Sequence, residues 1–199
     1  MIKKILDSKK IKDKFFYLKK NGKKIVLCHG VYDLFHFGHL KHLKNAKLKG
    51  DILVVSITAD KYVNKGYGKP IFNENIRAEV LSNLMCVDYV TISKEKSAVK
   101  LINEIKPNYY CKGIEYKKRK NDLTGKIHAE EKMVKKYGGK IIFTDDEVYS
   151  SSKLLNENFN ILNNKQKKFI NFLKKNFKSN KVFNDLKKVQ SIKTLVVGE

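Results

Sequence analysis

The 199-residue chain is 42% hydrophobic with eleven glycines and two prolines, enough apolar residue for one substantial core and too little glycine and proline for a collagen-like or linker-like polymer. Its net charge of +23 raises a nucleic-acid partner as a first idea, yet about two thirds of the excess lies in residues 1–24 and 154–199, and only Arg77 and Arg119 accompany the lysines, which argues against base reading. No run of eighteen apolar residues is present to span a membrane, no apolar stretch follows the N-terminal lysines as in a signal peptide, and three cysteines without a CxxC pair (Cys28, Cys86, Cys111) suit a reducing cytoplasm better than a disulfide or zinc scaffold.

In chain order, Lys3 to Lys20 alternates charge with apolar residues at helical spacing (Ile5, Ile11, Phe15, Phe16, Leu18), and Asn21-Gly22 supplies a helix stop. Ile25 to Cys28 is a short apolar run, read as a buried strand. A glycine-containing turn leads into a helix from about His36 to Leu48, closed by Gly50. Ile52 to Ile57 reads as a strand, Ile76 to Met85 as a helix and Val87 to Ile92 as a third strand, with Asp88 capping the preceding helix turn. Ala98 to Ile105 is helical, stopped by Pro107; Asn108 to Lys112 is a strand; Ala129 to Tyr137 is a helix ended by Gly138-Gly139; Lys140 to Thr144 is a fifth strand. Lys153 to Lys178 is a lysine- and asparagine-rich amphipathic stretch, and Ile192 to Gly198 reads as a strand running into a glycine turn.

Strands alternating with helices at this spacing predict an α/β fold: a Rossmann-like, doubly wound parallel sheet with a C-terminal helical extension. The chain divides into an N-terminal helix (1–24), an α/β domain (25–156), a basic helical extension (157–190) and the first strand of a further domain (191–199). Such sheets bind ligands beyond the carboxyl ends of their strands, so chemistry is expected in the loops after Cys28, Ile57, Ile92, Lys112 and Thr144.

The densest chemistry is His29-Gly30-Val31-Tyr32-Asp33-Leu34-Phe35-His36-Phe37-Gly38-His39, directly after the first of these strands. His36 and His39 are three residues apart, so on a helix they share a face within its first turn. A helix start offers unpaired N–H groups and the positive end of a dipole, and Gly38 leaves room for a phosphate against the backbone. Two imidazoles aimed at that anion site can donate hydrogen bonds to a phosphoryl group as its charge builds. Zinc fits less well, because no third ligand stands at suitable spacing. His42 continues the face as a neighbour, and His29 can line the pocket mouth. Lys65 and Lys69 stand beside glycines beyond the second strand, and Arg77 at a helix start needs an anion such as phosphate or a nearby carboxylate. Ser150, Ser151 and Ser152 before an apolar helix suit both a cap and a phosphate.

The segment Gly30 to His39 resembles the G-x-F-D-x-x-H-x-G-H signature of the cytidylyltransferase-like nucleotidyltransferase superfamily, with Tyr32 for the usual phenylalanine. Lys65-Gly66-Tyr67-Gly68-Lys69-Pro70-Ile71 is similar to the K-G-x-x-R-P-I loop of its heptose-1-phosphate adenylyltransferases, and Arg77 to Leu81 with Cys86 to Val90 is close to the same subgroup. Lys112-Gly113-Ile114-Glu115-Tyr116 resembles that subgroup's K-G-G-D-Y, and Tyr149-Ser150-Ser151-Ser152 looks like the closing phosphate-binding turn. The likeness covers about residues 22–156. Many members carry an arginine shortly before that turn, where this chain has Thr144-Asp145-Asp146-Glu147-Val148. Ile192 to Glu199 resembles the first strand of ribokinase-like sugar kinases, which share a chain with this transferase in bifunctional heptose enzymes.

The resemblance implies transfer of a nucleotidyl group from ATP or CTP, with Mg²⁺, to a sugar or alcohol phosphate, releasing pyrophosphate, in surface-polysaccharide precursor synthesis. It assigns catalysis to His36, His39 and Lys65. Nucleotide binding falls to Gly30, Val31, Tyr32, Asp33 and Gly38 around the helix start, and to Lys69 and Arg77. Cys111, Lys112, Gly113 and Glu115 would line the base and ribose, and Tyr149, Ser150, Ser151 and Ser152 the β- and γ-phosphates. No protein metal site, membrane or nucleic-acid partner is expected. Dimers are common in the family, and the apolar face of 154–173 calls for a partner within the chain or across a homodimer. The alternatives are a CTP-dependent enzyme for glycerol-3-phosphate or a similar alcohol phosphate, and a non-catalytic nucleotide- or nucleic-acid-binding module.

Overall fold

Short aliphatic runs without polar alternation can satisfy their backbone only in a sheet covered on both faces. They do so here in a computed structural model that describes residues 4–64, 68–116, 127–144 and 164–177, with 184–185 and 188–189. The strands are β1 (Ile5–Leu6), β2 (Ile25–Gly30), β3 (Ile52–Thr58), β4 (Tyr89–Ser93), β5 (Tyr109–Gly113) and β6 (Lys140–Thr144). All pair in parallel, in the order β1-β4-β3-β2-β5-β6. The helices are α1 (Ser8–Lys20), α2 (Phe37–Lys47), α3 (Glu74–Ser82), α4 (Val99–Ile105), α5 (Ile127–Lys136) and α6 (Asn164–Asn176). The chain forms two compact units, Met1–Lys153 and Leu154–Glu199.

In the first unit the sheet separates two cores. On one face Val26, Cys28, Val55, Val90 and Cys111 meet Leu43 and Ala46 of α2 and Ala78 and Leu81 of α3. On the other, Leu27, Val54 and Tyr110 meet Ile11 and Phe15 of α1, Ile102 and Ile105 of α4 and Val134 of α5. The strand order reverses between β2 and β5. There β2 stays paired with β3 as far as Gly30↔Ile57, while its pairing with β5 ends at Cys28↔Cys111. The two strands therefore part over their last residues, His29-Gly30 against Lys112-Gly113, which is where doubly wound sheets open a ligand crevice.

Three local expectations are corrected. Residues 4–7 are not the start of a helix: Ile5 and Leu6 pair with Val90 and Thr91, and the Val90 amide donates to the Lys4 carbonyl at 2.9 Å. The open edge of β4 takes up these two residues, and a two-residue strand is too short to show a period. Helix α3 begins at Glu74 because the Asn73 side chain accepts from the Asn75 and Ile76 amides. Asp88 is not a helix cap; its Oδ2 accepts from the Leu53 amide at 2.7 Å and lies 2.5 Å from Lys47 Nζ. Helix α1 is integral to this unit, with Ile11 and Phe15 fully buried and the Phe15 ring edge-on to Tyr89 at 5.7 Å.

In the second unit α6 falls within the predicted amphipathic stretch, and the Phe172 and Phe177 rings meet edge-on at 6.4 Å. The strand expected over Ile192 to Gly198 lies outside the described residues. No helix among the described residues is long and apolar enough to cross a membrane.

Phe15→Ala should lower stability by about 3–5 kcal/mol, and Phe16→Ala on the exposed side of α1 by less than about 0.5 kcal/mol. Urea unfolding of both variants checks this; equal effects would detach α1 from the core.

Candidate active site

Helix α2 begins one short loop beyond β2, with His36 as its N-cap. The Gly38 amide donates to His36 Nδ1 at 3.1 Å, and the His36 amide donates to His39 Nδ1 at 3.4 Å. A backbone amide can only donate, so each Nδ1 is unprotonated and each neutral ring carries its proton on Nε2. The two rings stack at 3.9 Å between centroids, 25° from parallel. Phe35 also stacks on His39 at 5.6 Å, and Tyr32 meets it edge-on at 5.4 Å. The Gly38 amide, expected to face a phosphate directly, is spent on His36. The start of α2 is instead coupled to two imidazoles whose protons lie on Nε2, and His36 Nε2 is itself buried.

The loop that sets up this pair holds two non-glycine residues in the left-handed region, Tyr32 (φ 54°) and Leu34 (φ 48°), at a cost of about 1–3 kcal/mol each. They flank Asp33, which is buried and whose carboxylate accepts from the Ile71 amide at 2.9 Å and the Phe72 amide at 3.1 Å. A Cβ on Gly30 would sit 3.2 Å from the Tyr32 ring, so glycine there lets that ring close over the end of β2. Val31 contributes its carbonyl, which accepts from Arg77.

Arg77 is buried. Its Nε donates to the Phe72 carbonyl at 2.9 Å, Nη1 to the Val31 carbonyl at 2.6 Å, and Nη2 to the Thr58 carbonyl at 2.9 Å and to Asp60 Oδ1 at 2.5 Å. The Asp60 amide donates to Glu74 Oε2 at 2.7 Å, and the Glu74 amide donates to Asp60 Oδ2 at 3.1 Å. The anion that Arg77 requires is thus a carboxylate of the protein, and its guanidinium is committed to fastening the histidine loop, the end of β3 and the segment before α3 to one another.

Near the end of β5, Cys111 is fully buried in the sheet opposite Cys28. Burial, and then the neighbouring Cys111 thiol, push the Cys28 thiol well above its ordinary range, so it stays neutral. Lys112 lies 3.3 Å from Glu130 Oε2. Glu130, on α5, also accepts from the Ala98 amide at 3.0 Å and the Tyr110 hydroxyl at 2.9 Å. Burial acts to raise the Glu130 carboxyl, but Lys112 and these hydrogen bonds outweigh it and hold the group below the usual carboxylate range. His29 is oriented by Ser56 Oγ, 3.1 Å from Nδ1, and Thr58 Oγ1, 3.5 Å from Nε2. His42 Nδ1 lies 2.7 Å from Thr144 Oγ1, which joins α2 to the end of β6.

A family model described as cytidylyltransferase-like matches residues 27–182. The chain belongs to the cytidylyltransferase-like family. That membership places it among nucleotidyltransferases. It is 42% identical over 122 residues to the bifunctional protein HldE of Aliarcobacter butzleri, covering 60% of this chain and 25% of that one. It is 36% identical over 140 residues to the bifunctional protein HldE of Helicobacter pylori, covering 69% and 28%. The chain thus spans about a quarter of the length of these curated relatives. Among solved structures it resembles a lipopolysaccharide core biosynthesis protein from Thermoplasma volcanium, with TM-score 0.53 and 31% identity over 64% of this chain and 100% of that one.

The structure brings His36, His39, Tyr32, Asp33, Gly30 and Gly38 of this family member together at the head of α2. Lys112 and Gly113 end the strand across the switch point, and Lys69 is half-buried just before the segment held by Asp33. Lys65, Tyr149, Ser150, Ser151 and Ser152 lie outside the described residues, as does the Glu115 side chain. Glu130 was missed by sequence reasoning. Its signal is positional: it sits on the buried face of α5 between Ile127 and Val134, where an apolar residue would be expected.

Asp33→Ala removes the acceptor of two amides. It should cost about 1–3 kcal/mol and speed hydrogen exchange at Ile71 and Phe72 at least tenfold while β3 stays protected; unchanged exchange there would show that Asp33 does not hold this segment.

Proposed function

We propose that the chain transfers a nucleotidyl group from ATP to a sugar 1-phosphate of the heptose type, with release of pyrophosphate, in the synthesis of a surface-polysaccharide precursor. The observation that carries this reading is the stacked His36–His39 pair, with both Nδ1 atoms held by amides at the start of α2. The acceptor phosphate is already a nucleophile at neutral pH, so catalysis is positioning and charge stabilisation. The acceptor oxygen attacks the α-phosphorus, and the bond to the β,γ-pyrophosphate breaks. Charge grows on the α- and bridging oxygens, where two preorganised Nε2–H donors stabilise it more than they stabilise the ground state. Mg²⁺ enters as part of the triphosphate substrate. Lys65 and Lys69 supply further positive charge, and Ser150 to Ser152 take the departing phosphates.

The choice of ATP and a heptose-type acceptor rests on the likeness of the Lys65–Ile71 and Lys112–Tyr116 segments to heptose-1-phosphate adenylyltransferases, and agrees with relatives named HldE. A CTP-dependent reaction with glycerol-3-phosphate or a related alcohol phosphate is the second reading, favoured by the cytidylyltransferase-like match. Pyrophosphate release, with ATP, CTP, GTP and UTP crossed against heptose, hexose and glycerol phosphates, separates the two. ATP with a heptose 1-phosphate should be the productive pair; turnover confined to CTP would replace it with the second reading.

His36→Ala and His39→Ala should each lower kcat by about 10²–10³, the effect of losing one preorganised donor. Steady-state kinetics on the productive pair check this, and activity within tenfold of wild type would remove the histidines from the reaction.

A further inference from the structure

Lys112 is the one buried lysine among the described residues. It stands next to last in β5, one residue past the final β2–β5 pair at Cys28↔Cys111, and its ammonium lies 5.0 Å from the Tyr110 ring centroid and 5.1 Å from that of Tyr116. Its counter-charge comes from α5: Glu130, 3% exposed, with Oε2 3.3 Å from Lys112 Nζ. Three elements converge on that carboxylate, because it also accepts from the first amide of the α4 turn at Ala98 and from the Tyr110 hydroxyl. A buried ion pair of this kind seldom adds stability over apolar residues of the same size, since desolvation consumes most of the attraction. The pair is therefore weak evidence of a stabilising role, and its place beyond the last β2–β5 pair suits a functional one.

We propose that Glu130 is a positioning residue that holds the Lys112 ammonium at the crevice mouth, from which it passes to a phosphoryl oxygen of the bound substrate. The inference rests on the nucleotidyl-transfer reading. With Arg77 committed to protein partners, Lys112 is a preformed cation at the ends of the described strands, and Glu130 keeps it oriented before the substrate arrives. Because the Ala98 amide and Tyr110 hydroxyl hold the carboxylate in place, the ammonium rather than the carboxylate moves when a second anion enters.

Glu130→Gln keeps the shape and removes the charge. Dissociation constants for MgATP and MgCTP, and for magnesium tripolyphosphate as a base-free probe, are measured for wild type, Glu130→Gln, Lys112→Met and the double variant. Glu130→Gln should weaken all three ligands about tenfold and raise KM by the same factor, with kcat within threefold of wild type. In the Lys112→Met background the same change should have no further effect. Equal binding by Glu130→Gln and wild type, or a loss of the same size in the Lys112→Met background, would make Glu130 a purely structural cap and overturn the proposal. Should Glu130→Gln fail to fold, the ¹³C shift of the wild-type Glu130 carboxyl decides: it should move on saturation with magnesium tripolyphosphate, and no movement overturns the proposal. Wild type that binds none of the three ligands would overturn the nucleotidyl-transfer reading itself, whatever the variants do.

Discussion

The hydrogen bonds from two backbone amides to the Nδ1 atoms of His36 and His39 govern what this molecule can do. They use up donors that a helix start normally leaves for an anion, and in exchange they fix ring orientation and tautomer together. The result is a pair of stacked imidazoles that are neutral, close and both proton-bearing at Nε2. Two charged imidazolium rings 3.9 Å apart would repel, so the amide bonds also keep each ring in the form that tolerates the other. A neutral donor aimed at a phosphate gains most when charge appears on that phosphate, which is the requirement for lowering a barrier rather than merely binding a ground state.

Such precision needs a rigid frame, and the frame is made by Asp33 and Arg77. Asp33 reaches the amides of Ile71 and Phe72, while Arg77 reaches the carbonyls of Val31, Thr58 and Phe72. Between them, the histidine loop, the end of β3 and the segment just after Lys69 form one hydrogen-bonded body. The left-handed residues Tyr32 and Leu34 are the conformational cost of turning Asp33 inward between them. The opposite wall, at the end of β5, is organised separately around Glu130 and Lys112. The two sides of the point where the strand order reverses therefore differ in kind: neutral imidazoles stand at the head of α2, and the Lys112–Glu130 ion pair stands at the end of β5.

Much of this was legible in the sequence. Strands β2 to β6 are apolar runs of the right length, and the spacing of helices between them leaves little choice but a parallel sheet with its chemistry at the carboxyl ends. The His36–His39 pair could be read because a motif at a strand–helix junction has a local physical meaning. What escaped depends on long-range partners. Ile5 and Leu6 become a strand only because β4 offers an edge. Arg77 could pair with phosphate or carboxylate, and only the fold brings Asp60 to it. Glu130 looks like an ordinary helical glutamate until α5 turns it inward toward Lys112. Polar residues on buried faces are invisible to periodicity, which counts them as interruptions.

On the proposed function, His36 and His39 meet a nucleoside triphosphate as neutral Nε2–H donors. Long-range ¹H–¹⁵N correlation spectra of the histidine rings, recorded with and without MgATP, test it most directly. Both residues should show the Nε2–H tautomer in the free protein, with both Nε2 resonances moving on nucleotide saturation while His42 stays in place. An Nδ1–H tautomer at either position, or rings indifferent to the nucleotide, would contradict it.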